Sequence, residues 1–195
     1  MKKISVFCGS SSGNQTIYEE ASIALAKAFI KHDFTLLYGG AKIGLMGILA
    51  DYMLQAGGKV IGVMPHFLIH KEIAHPKLTE FVCVDSMQER KSWMQANSDA
   101  FIALPGGFGT LDEIFEMICL GQLHIHQKPC AFLNINGFFN SLKNFLEHAV
   151  SQGFIDMEYK NMLIFESDTE RLIDKILHYT HPYIDKAERA RAAKG

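Results

Sequence analysis

Short apolar runs alternate along the chain with longer stretches in which apolar residues recur at helical spacing. The runs predict buried strands at residues 4–8, 35–38, 60–64, 81–84, 100–104, 129–133 and 162–165. The helical spacing predicts helices at residues 18–30, 45–55, 86–97, 111–120, 138–152 and 169–179. Segment 66–77 fits the alternation less well, and we interpret it as a short helix followed by a loop.

Strands that alternate with helices along a chain form a parallel sheet with helices on both faces. The pattern therefore predicts an α/β fold, a single doubly wound, Rossmann-like domain whose sheet is mostly parallel. We place this domain at residues 1–180 and a charged C-terminal tail at residues 181–195.

Composition and charge limit the kinds of molecule that the protein is expected to bind and the compartment in which it is expected to act. The 195 residues carry a formal net charge of −2, so no basic field attracts nucleic acid or an anionic membrane. The four cysteines form no C-x-x-C pair, which indicates free thiols in a reducing compartment. No apolar run is long enough for a signal peptide or a membrane span, so we expect a cytoplasmic protein.

The most informative stretch is F-I-A-L-P-G-G-F-G-T-L-D-E-I-F-E-M at residues 101–117. It predicts a strand, a tight glycine turn and the N-terminus of a helix. Backbone N–H groups of the turn, from Gly107 to Thr110, would then point at an anion. Asp112 and Glu113 would lie in the first helical turn, one turn from that anion. The alternative is a plain β–α turn in which the two carboxylates only complement the helix dipole.

Two more loops of small residues follow predicted strands, G-S-S-S-G at residues 9–13 and G-G-A-K-I-G at residues 39–44. None of the three loops fits G-x-G-x-x-G or G-x-x-x-x-G-K-[ST], so a nicotinamide dehydrogenase and a P-loop NTPase are both disfavoured. Loops that follow parallel strands meet at one edge of the sheet. We therefore expect one shared crevice that suits a compact, nucleotide-sized ligand.

Three motifs in the same order resemble the LOG family of cytokinin riboside 5′-monophosphate phosphoribohydrolases, once called lysine decarboxylase-like. They are Y-G-G-A-K-I-G-L-M-G at residues 38–47, M-Q-E-R-K-S-W-M at 87–94 and P-G-G-F-G-T-L-D-E at 105–113, and the segments C-G-S-S-S-G and H-K-E-I also match. The resemblance implies hydrolysis of the N-glycosidic bond of a nucleoside 5′-monophosphate to a free base and ribose 5-phosphate. It also implies a homodimer, and we expect no cofactor.

The same resemblance assigns roles to residues. Arg90 and Glu113 correspond to the family's catalytic arginine and glutamate, and Gly107, Gly109 and Thr110 to its phosphate-binding turn. Further substrate-binding candidates come from the matched motifs: Gly9, Ser10, Gly40, Glu72, Lys91, Gly106, Phe108, Leu111 and Asp112. The chain departs from the usual motifs at Ala41, Gln88 and Asp112, and Ala41 bears on base preference before it bears on activity.

Other interpretations of the residues compete with this one. The histidine pairs His66/His70 and His124/His126 have metal-ligand spacing but lack H-E-x-x-H or a supporting carboxylate cluster, so we expect no metal. Lysine decarboxylation with pyridoxal phosphate needs a larger cofactor domain. A non-catalytic binder similar to molybdenum-cofactor carriers remains the alternative, and the presence of both Arg90 and Glu113 favours the enzyme. The sequence leaves open adenine, N6-prenylated adenine or another base.

Overall fold

The computed structural model describes residues 2–69 and 74–182 and contains a sheet of seven strands. The strands are β1 (Lys3–Phe7), β2 (Thr35–Tyr38), β3 (Val60–Pro65), β4 (Glu80–Val84), β5 (Ala100–Ala103), β6 (Cys130–Leu133) and β7 (Leu163–Glu166). They are ordered β4-β3-β2-β1-β5-β6-β7, and every pairing between neighbours is parallel. The strand order reverses between β1 and β5, so the crevice of a doubly wound fold opens there, above their carboxyl ends.

Helices cover both faces of the sheet, which confirms the predicted α/β doubly wound class. They are α1 (Thr16–Lys31), α2 (Gly44–Gln55), α3 (His66–Ile69), α4 (Met87–Asn97), α5 (Phe108–Gln122), α6 (Asn140–Ser151), α7 (Met157–Asn161) and α8 (Thr169–Leu177), with a 3-10 turn at Ile135–Gly137. Helices α1, α2 and α8 pack on an aliphatic core, whereas α4 and α5 pack on a second core of aromatic and methionine side chains. No helix among residues 2–69 and 74–182 is long and apolar enough to cross a bilayer.

Helix α5 begins earlier than the apolar spacing predicts. It starts at Phe108 with Gly107 as its N-cap, rather than at residue 111. Asp112 and Glu113 therefore lie in the second turn, and the prediction that they lie in the first turn is wrong. The helix dipole acts mainly on the terminal turn. The alternative hypothesis, in which these carboxylates only complement the dipole, is therefore weakened.

Helix α4 begins at Met87, one residue after the predicted start, with Ser86 as its N-cap. The Ser86 hydroxyl accepts a hydrogen bond from the Glu89 N–H at 3.0 Å, and the Glu89 carboxylate accepts one from the Asp85 N–H at 2.8 Å. These two bonds satisfy backbone donors at the start of the helix. They fix the entry of the helix that carries Arg90. Helix α7 was not predicted, and residues 183–195 of the predicted tail lie outside the described residues.

Candidate active site

Two adjoining cavities open at the β1–β5 edge of the sheet. The first, which we call the α5 cavity, has a volume of about 240 Å³ and is lined by Cys8, Gly9, Ser10, Met46, Leu68, Met87, Arg90, Gly107, Phe108, Gly109, Thr110 and Glu113. The second, the α1 cavity, has a volume of about 300 Å³ and is lined mainly by residues 9–13, Tyr18, Leu45, residues 105–107 and Phe138. Gly9, Ser10 and Gly107 belong to both linings, so the loop after β1 and the turn after β5 form the wall between them.

The start of α5 supplies an anion cradle to the α5 cavity. The Leu111 N–H is bonded to the Gly107 carbonyl at 3.1 Å. The N–H groups of the four residues from Gly107 to Thr110 precede this bond and have no i−4 acceptor within the helix. Together with the helix dipole they favour a phosphate. This arrangement agrees with the donors predicted from the glycine turn.

The turn after β5 is locked against the loop after β1. The Gly9 N–H donates to the Pro105 carbonyl at 3.0 Å, and the Leu45 N–H donates to the Gly9 carbonyl at 3.2 Å. A Cβ at Gly106 would collide with the Thr110 side chain and lie 2.8 Å from the Gly9 nitrogen. Glycine is therefore required at position 106 for this close approach, and the cradle is held in place before any ligand binds.

A buried ion pair forms the floor of the same cavity. Arg90 Nη2 on α4 donates to Glu113 Oε1 on α5 at 2.7 Å, and the two side chains are only 7% and 9% exposed. Such a short charge-assisted bond fixes the orientation of both groups. Arg90 Nε is also buried and has no hydrogen-bond partner within the described part of the chain. The arrangement therefore holds a negatively charged oxygen and a guanidinium within one small cavity.

Gly39, at the end of β2, makes room for the guanidinium. A Cβ at this position would lie 2.6 Å from Arg90 Nη2 and 3.2 Å from Met46 Sδ. Arg90 thus lies directly against the bare Cα of a glycine. The motif at residues 38–47, which contains Gly39, and the E-R-K motif are brought into contact at this point.

Cys8 also lines the cavity, but it is unsuited to act as a nucleophile. Burial raises the pKa of its thiol well above the ordinary value, and the negative charge of Glu113 raises it further. The thiol stays protonated at any ordinary pH, and thiolate is the reactive form. Burial likewise raises the pKa of Tyr38, with smaller contributions from Cys8 and Asp51. Cys8 therefore serves as an uncharged wall next to Glu113.

Most of the residues predicted for the site come together. Arg90, Glu113, Gly9, Ser10, Gly107, Phe108, Gly109 and Thr110 line the α5 cavity, and Gly106 lines the α1 cavity. Among the described residues, the linings of these two cavities do not include Gly40, Lys91, Leu111 or Asp112. Glu72 lies outside the described residues.

The residues away from the cavities have other contacts. Lys91 Nζ pairs with Asp112 Oδ2 at 3.1 Å and with Glu116 Oε2. The Gly40 carbonyl accepts a hydrogen bond from the His75 N–H at 2.9 Å. Lys91 thus reaches from α4 to two carboxylates of α5, those of Asp112 and Glu116, and these ion pairs lie outside the anion cradle.

Sequence reasoning missed the apolar part of the lining, which consists of Cys8, Met46, Leu68 and Met87. Two signals could have found most of it. Cys8 directly precedes the loop at residues 9–13, and Met46 and Met87 lie inside two of the matched motifs. Leu68 belongs to the short helix α3, for which the sequence carries no comparable signal.

Comparison with known proteins identifies relatives of this chain. A family model described as possible lysine decarboxylase matches residues 46–176. The probable cytokinin riboside 5′-monophosphate phosphoribohydrolase LOGL3 of Oryza sativa subsp. japonica is 43% identical over 95% of this chain and 87% of its own length. The cytokinin riboside 5′-monophosphate phosphoribohydrolase LOG1 of Arabidopsis thaliana is 40% identical over 99% of this chain and 89% of its own.

Solved structures share the fold at low sequence identity. The molybdenum cofactor binding protein of Rippkaea orientalis superposes with a TM-score of 0.68 at 22% identity, over 90% of this chain and 95% of that one. The molybdenum cofactor carrier protein of Chlamydomonas reinhardtii gives a TM-score of 0.68 at 17% identity, over 91% and 99%. At such identities the likeness extends to the fold alone.

Proposed function

The chain belongs to the LOG family, and from that premise we propose that it hydrolyses the N-glycosidic bond of an adenosine-type nucleoside 5′-monophosphate. The products are the free base and ribose 5-phosphate. The observation that carries the proposal is the juxtaposition of a buried Arg90–Glu113 pair and an anion cradle in one cavity of about 240 Å³. The names of the curated relatives favour a base with an N6 substituent of the cytokinin type.

The phosphate anchors the substrate at the start of α5. The free N–H groups of Gly107, Phe108, Gly109 and Thr110 bind its oxygens, and Gly9 and Ser10 close the cradle from the loop after β1. Binding energy from this remote group positions the bond to be cleaved. A nucleoside without the phosphate loses that contribution, so it is a poor substrate.

Glu113 carries the chemistry at the ribose. Cleavage of the C1′–N bond builds positive charge on the sugar ring, as it does in glycoside hydrolysis. The Glu113 carboxylate stabilises this charge, binds ribose hydroxyls and orients the attacking water. Water supplies a hydroxyl to C1′ and a proton to the departing base, so the two products account for all atoms.

Arg90 has two roles. Its Nη2 holds the Glu113 carboxylate at 2.7 Å, and its guanidinium stays cationic at any ordinary pH. The positive charge offsets the negative charge that develops on the departing base. We further propose that the protein acts in the cytoplasm as a homodimer, the assembly that the family resemblance implies.

The second candidate is a non-catalytic carrier, because the fold matches molybdenum-cofactor binding proteins. The same cradle could hold a phosphate-bearing ligand without cleaving it. A buried carboxylate next to the cradle supplies the charge stabilisation that hydrolysis requires, and carriage of an intact ligand requires no such group. The Arg90–Glu113 pair therefore favours the hydrolase.

One experiment tests the choice. Purified protein is incubated with AMP, with isopentenyladenosine 5′-monophosphate and with the two corresponding nucleosides, and free base is measured by chromatography. We expect base release from the monophosphates and little from the nucleosides. Binding without release from any nucleotide would support the carrier instead.

A further inference from the structure

The outer ion cluster between α4 and α5 involves residues next to the catalytic pair. Arg90 and Lys91 are neighbours on α4, and their partners Glu113, Asp112 and Glu116 lie on α5. The inner pair, Arg90–Glu113, is almost fully buried. In the outer cluster Lys91 is 15% exposed, Glu116 30% and Asp112 58%. Two consecutive residues of one helix thus reach across to the same stretch of the other.

The Lys91 ammonium is already satisfied by α5. It lies 3.1 Å from Asp112 Oδ2 and 3.3 Å from Asp112 Oδ1, and it also pairs with Glu116. Hydrogen bonding to Glu116 raises the pKa of Lys91, burial lowers it, and Asp112 raises it again, with a net upward shift. A lysine that contacted the substrate phosphate would instead have to point toward the cradle formed by Gly107 to Thr110.

Helices α4 and α5 are joined near the site by ion pairs, since Arg90 and Lys91 of α4 both reach carboxylates of α5. Long side chains therefore set their spacing near the site, and the outer cluster contributes a cation held between two carboxylates. A shift of about 1 Å in such a spacing can lower a rate roughly a hundredfold, because the reacting groups lose their alignment.

We propose that Lys91, with Asp112 and Glu116, forms a clamp between α4 and α5 that positions Arg90 against Glu113. Lys91 and Asp112 are then positioning residues rather than the substrate contacts that the family motifs suggest. This inference rests on the proposed hydrolase function. The clamp can be wrong while the hydrolase function is right, since the clamp concerns only how the catalytic pair is held.

A charge exchange distinguishes the two roles. Lys91→Glu places three carboxylates together, and we expect kcat to fall about a hundredfold with KM changed less than about threefold. Adding Glu116→Lys restores one cation between two carboxylates and should return kcat to within about fivefold of wild type. A phosphate-binding lysine would not be replaced by a lysine on another helix.

Two further variants keep the test decisive if the exchanged pair folds poorly. Asp112→Asn removes the charge of one of the two carboxylates that pair with Lys91. Because Asp112 is mostly exposed, we expect kcat to fall only about two- to fivefold at unchanged KM. Lys175→Met, which breaks the surface ion pair of Lys175 with Glu166, is the matched control and should stay within about twofold of wild type.

Clear outcomes would overturn the clamp. They are a rise in KM for the monophosphate of about tenfold or more in Asp112→Asn or Lys91→Glu, or a folded double variant as slow as Lys91→Glu alone. Absence of base release by the wild-type protein would instead refute the proposed function, and it is measured first.

Discussion

The two faces of the sheet are built for different purposes. The face under α1, α2 and α8 is filled with aliphatic side chains such as Leu25, Leu36 and Leu49, none of which has exposed surface. The face under α4 and α5 buries Arg90 and Glu113 beside a core of aromatic and methionine residues. Burial of apolar groups stabilises a fold, whereas a buried ion pair contributes little or even costs free energy. The first face thus secures the fold, and the second uses part of that stability to hold the Arg90–Glu113 ion pair.

The largest expected effect comes from the second face. Glu113→Gln keeps the size of the side chain and an acceptor for Arg90 but removes the negative charge. We expect base release to fall about a thousandfold or more, because the charge on the ribose ring is no longer stabilised. Single-turnover kinetics with the preferred monophosphate measure the loss, and near-normal turnover would remove Glu113 from the mechanism.

A double variant sharpens the contrast between the faces. Arg90→Met with Glu113→Leu replaces the whole buried pair by apolar groups and leaves no uncompensated charge. Exchanges of this kind leave stability unchanged or raise it by about 1–4 kcal/mol. The variant should therefore unfold at the same or a higher denaturant concentration than wild type while releasing no base.

The next largest effect belongs to the first face. Leu25→Ala leaves a cavity in the aliphatic core and should lower the free energy of unfolding by about 2–5 kcal/mol. We expect kcat of the folded fraction to remain within about twofold of wild type. Urea unfolding followed by circular dichroism gives the first quantity, and a loss of kcat as large as that of Glu113→Gln would show that the two faces are not separable.

The strands and helices also differ in how well their bounds can be predicted from the sequence. A central strand such as Thr35–Tyr38 is predicted with its observed bounds because a buried apolar run carries its own signal. The start of α5 is misplaced because Phe108, Gly109 and Thr110 show no apolar periodicity. They follow the turn that is held by the hydrogen bond from Gly9 to Pro105, and this contact between distant segments is not visible in the local sequence. Helix α7 is too short for a periodic pattern to appear.

The family motifs select candidate residues for the site, but they do not predict the contacts of those residues. Family motifs select Arg90 and Glu113, and the structure places them 2.7 Å apart. The direction of a long flexible side chain cannot be read from its motif, since Lys91 sits next to Arg90 and yet points at Asp112 and Glu116. Contacts of Gly39 with Arg90 join motifs far apart in the chain and appear only after folding.

Gly39→Ala tests the contact between the end of β2 and the Arg90 guanidinium. The added Cβ would lie 2.6 Å from Arg90 Nη2, so the guanidinium must shift, and the 2.7 Å bond from the same atom to Glu113 is disturbed. We expect turnover to fall about 10- to 100-fold with a smaller loss of stability than in Leu25→Ala. In the Glu113→Gln background the same substitution should cost little more, because its effect runs through the pair. Additive losses in the double variant would show that Gly39 acts on something other than this pair.

The smallest effect concerns a titratable group in the second core, away from the Arg90–Glu113 pair. His126 is buried, its Nε2 donates to the Met117 carbonyl at 2.9 Å, and its Nδ1 accepts from the Lys128 N–H at 3.1 Å. The ring is neutral in this arrangement. Burial lowers its pKa, the Met117 hydrogen bond opposes this shift, and the charges of Lys128 and His181 add to it.

The lowered pKa of His126 determines how stability changes with pH. The unfolded state binds the proton with a pKa of about 6.5 and the folded state with a lower one. The stabilisation from neutral His126 is therefore complete above pH of about 6.5 and is lost as the pH falls through the folded-state pKa. Urea midpoints across this range should drop in wild type and drop less in His126→Gln. Base release per folded molecule should differ little between the two at pH of about 7.5, because His126 lies outside the α5 cavity. An equal drop in both proteins would assign the acid sensitivity to other groups.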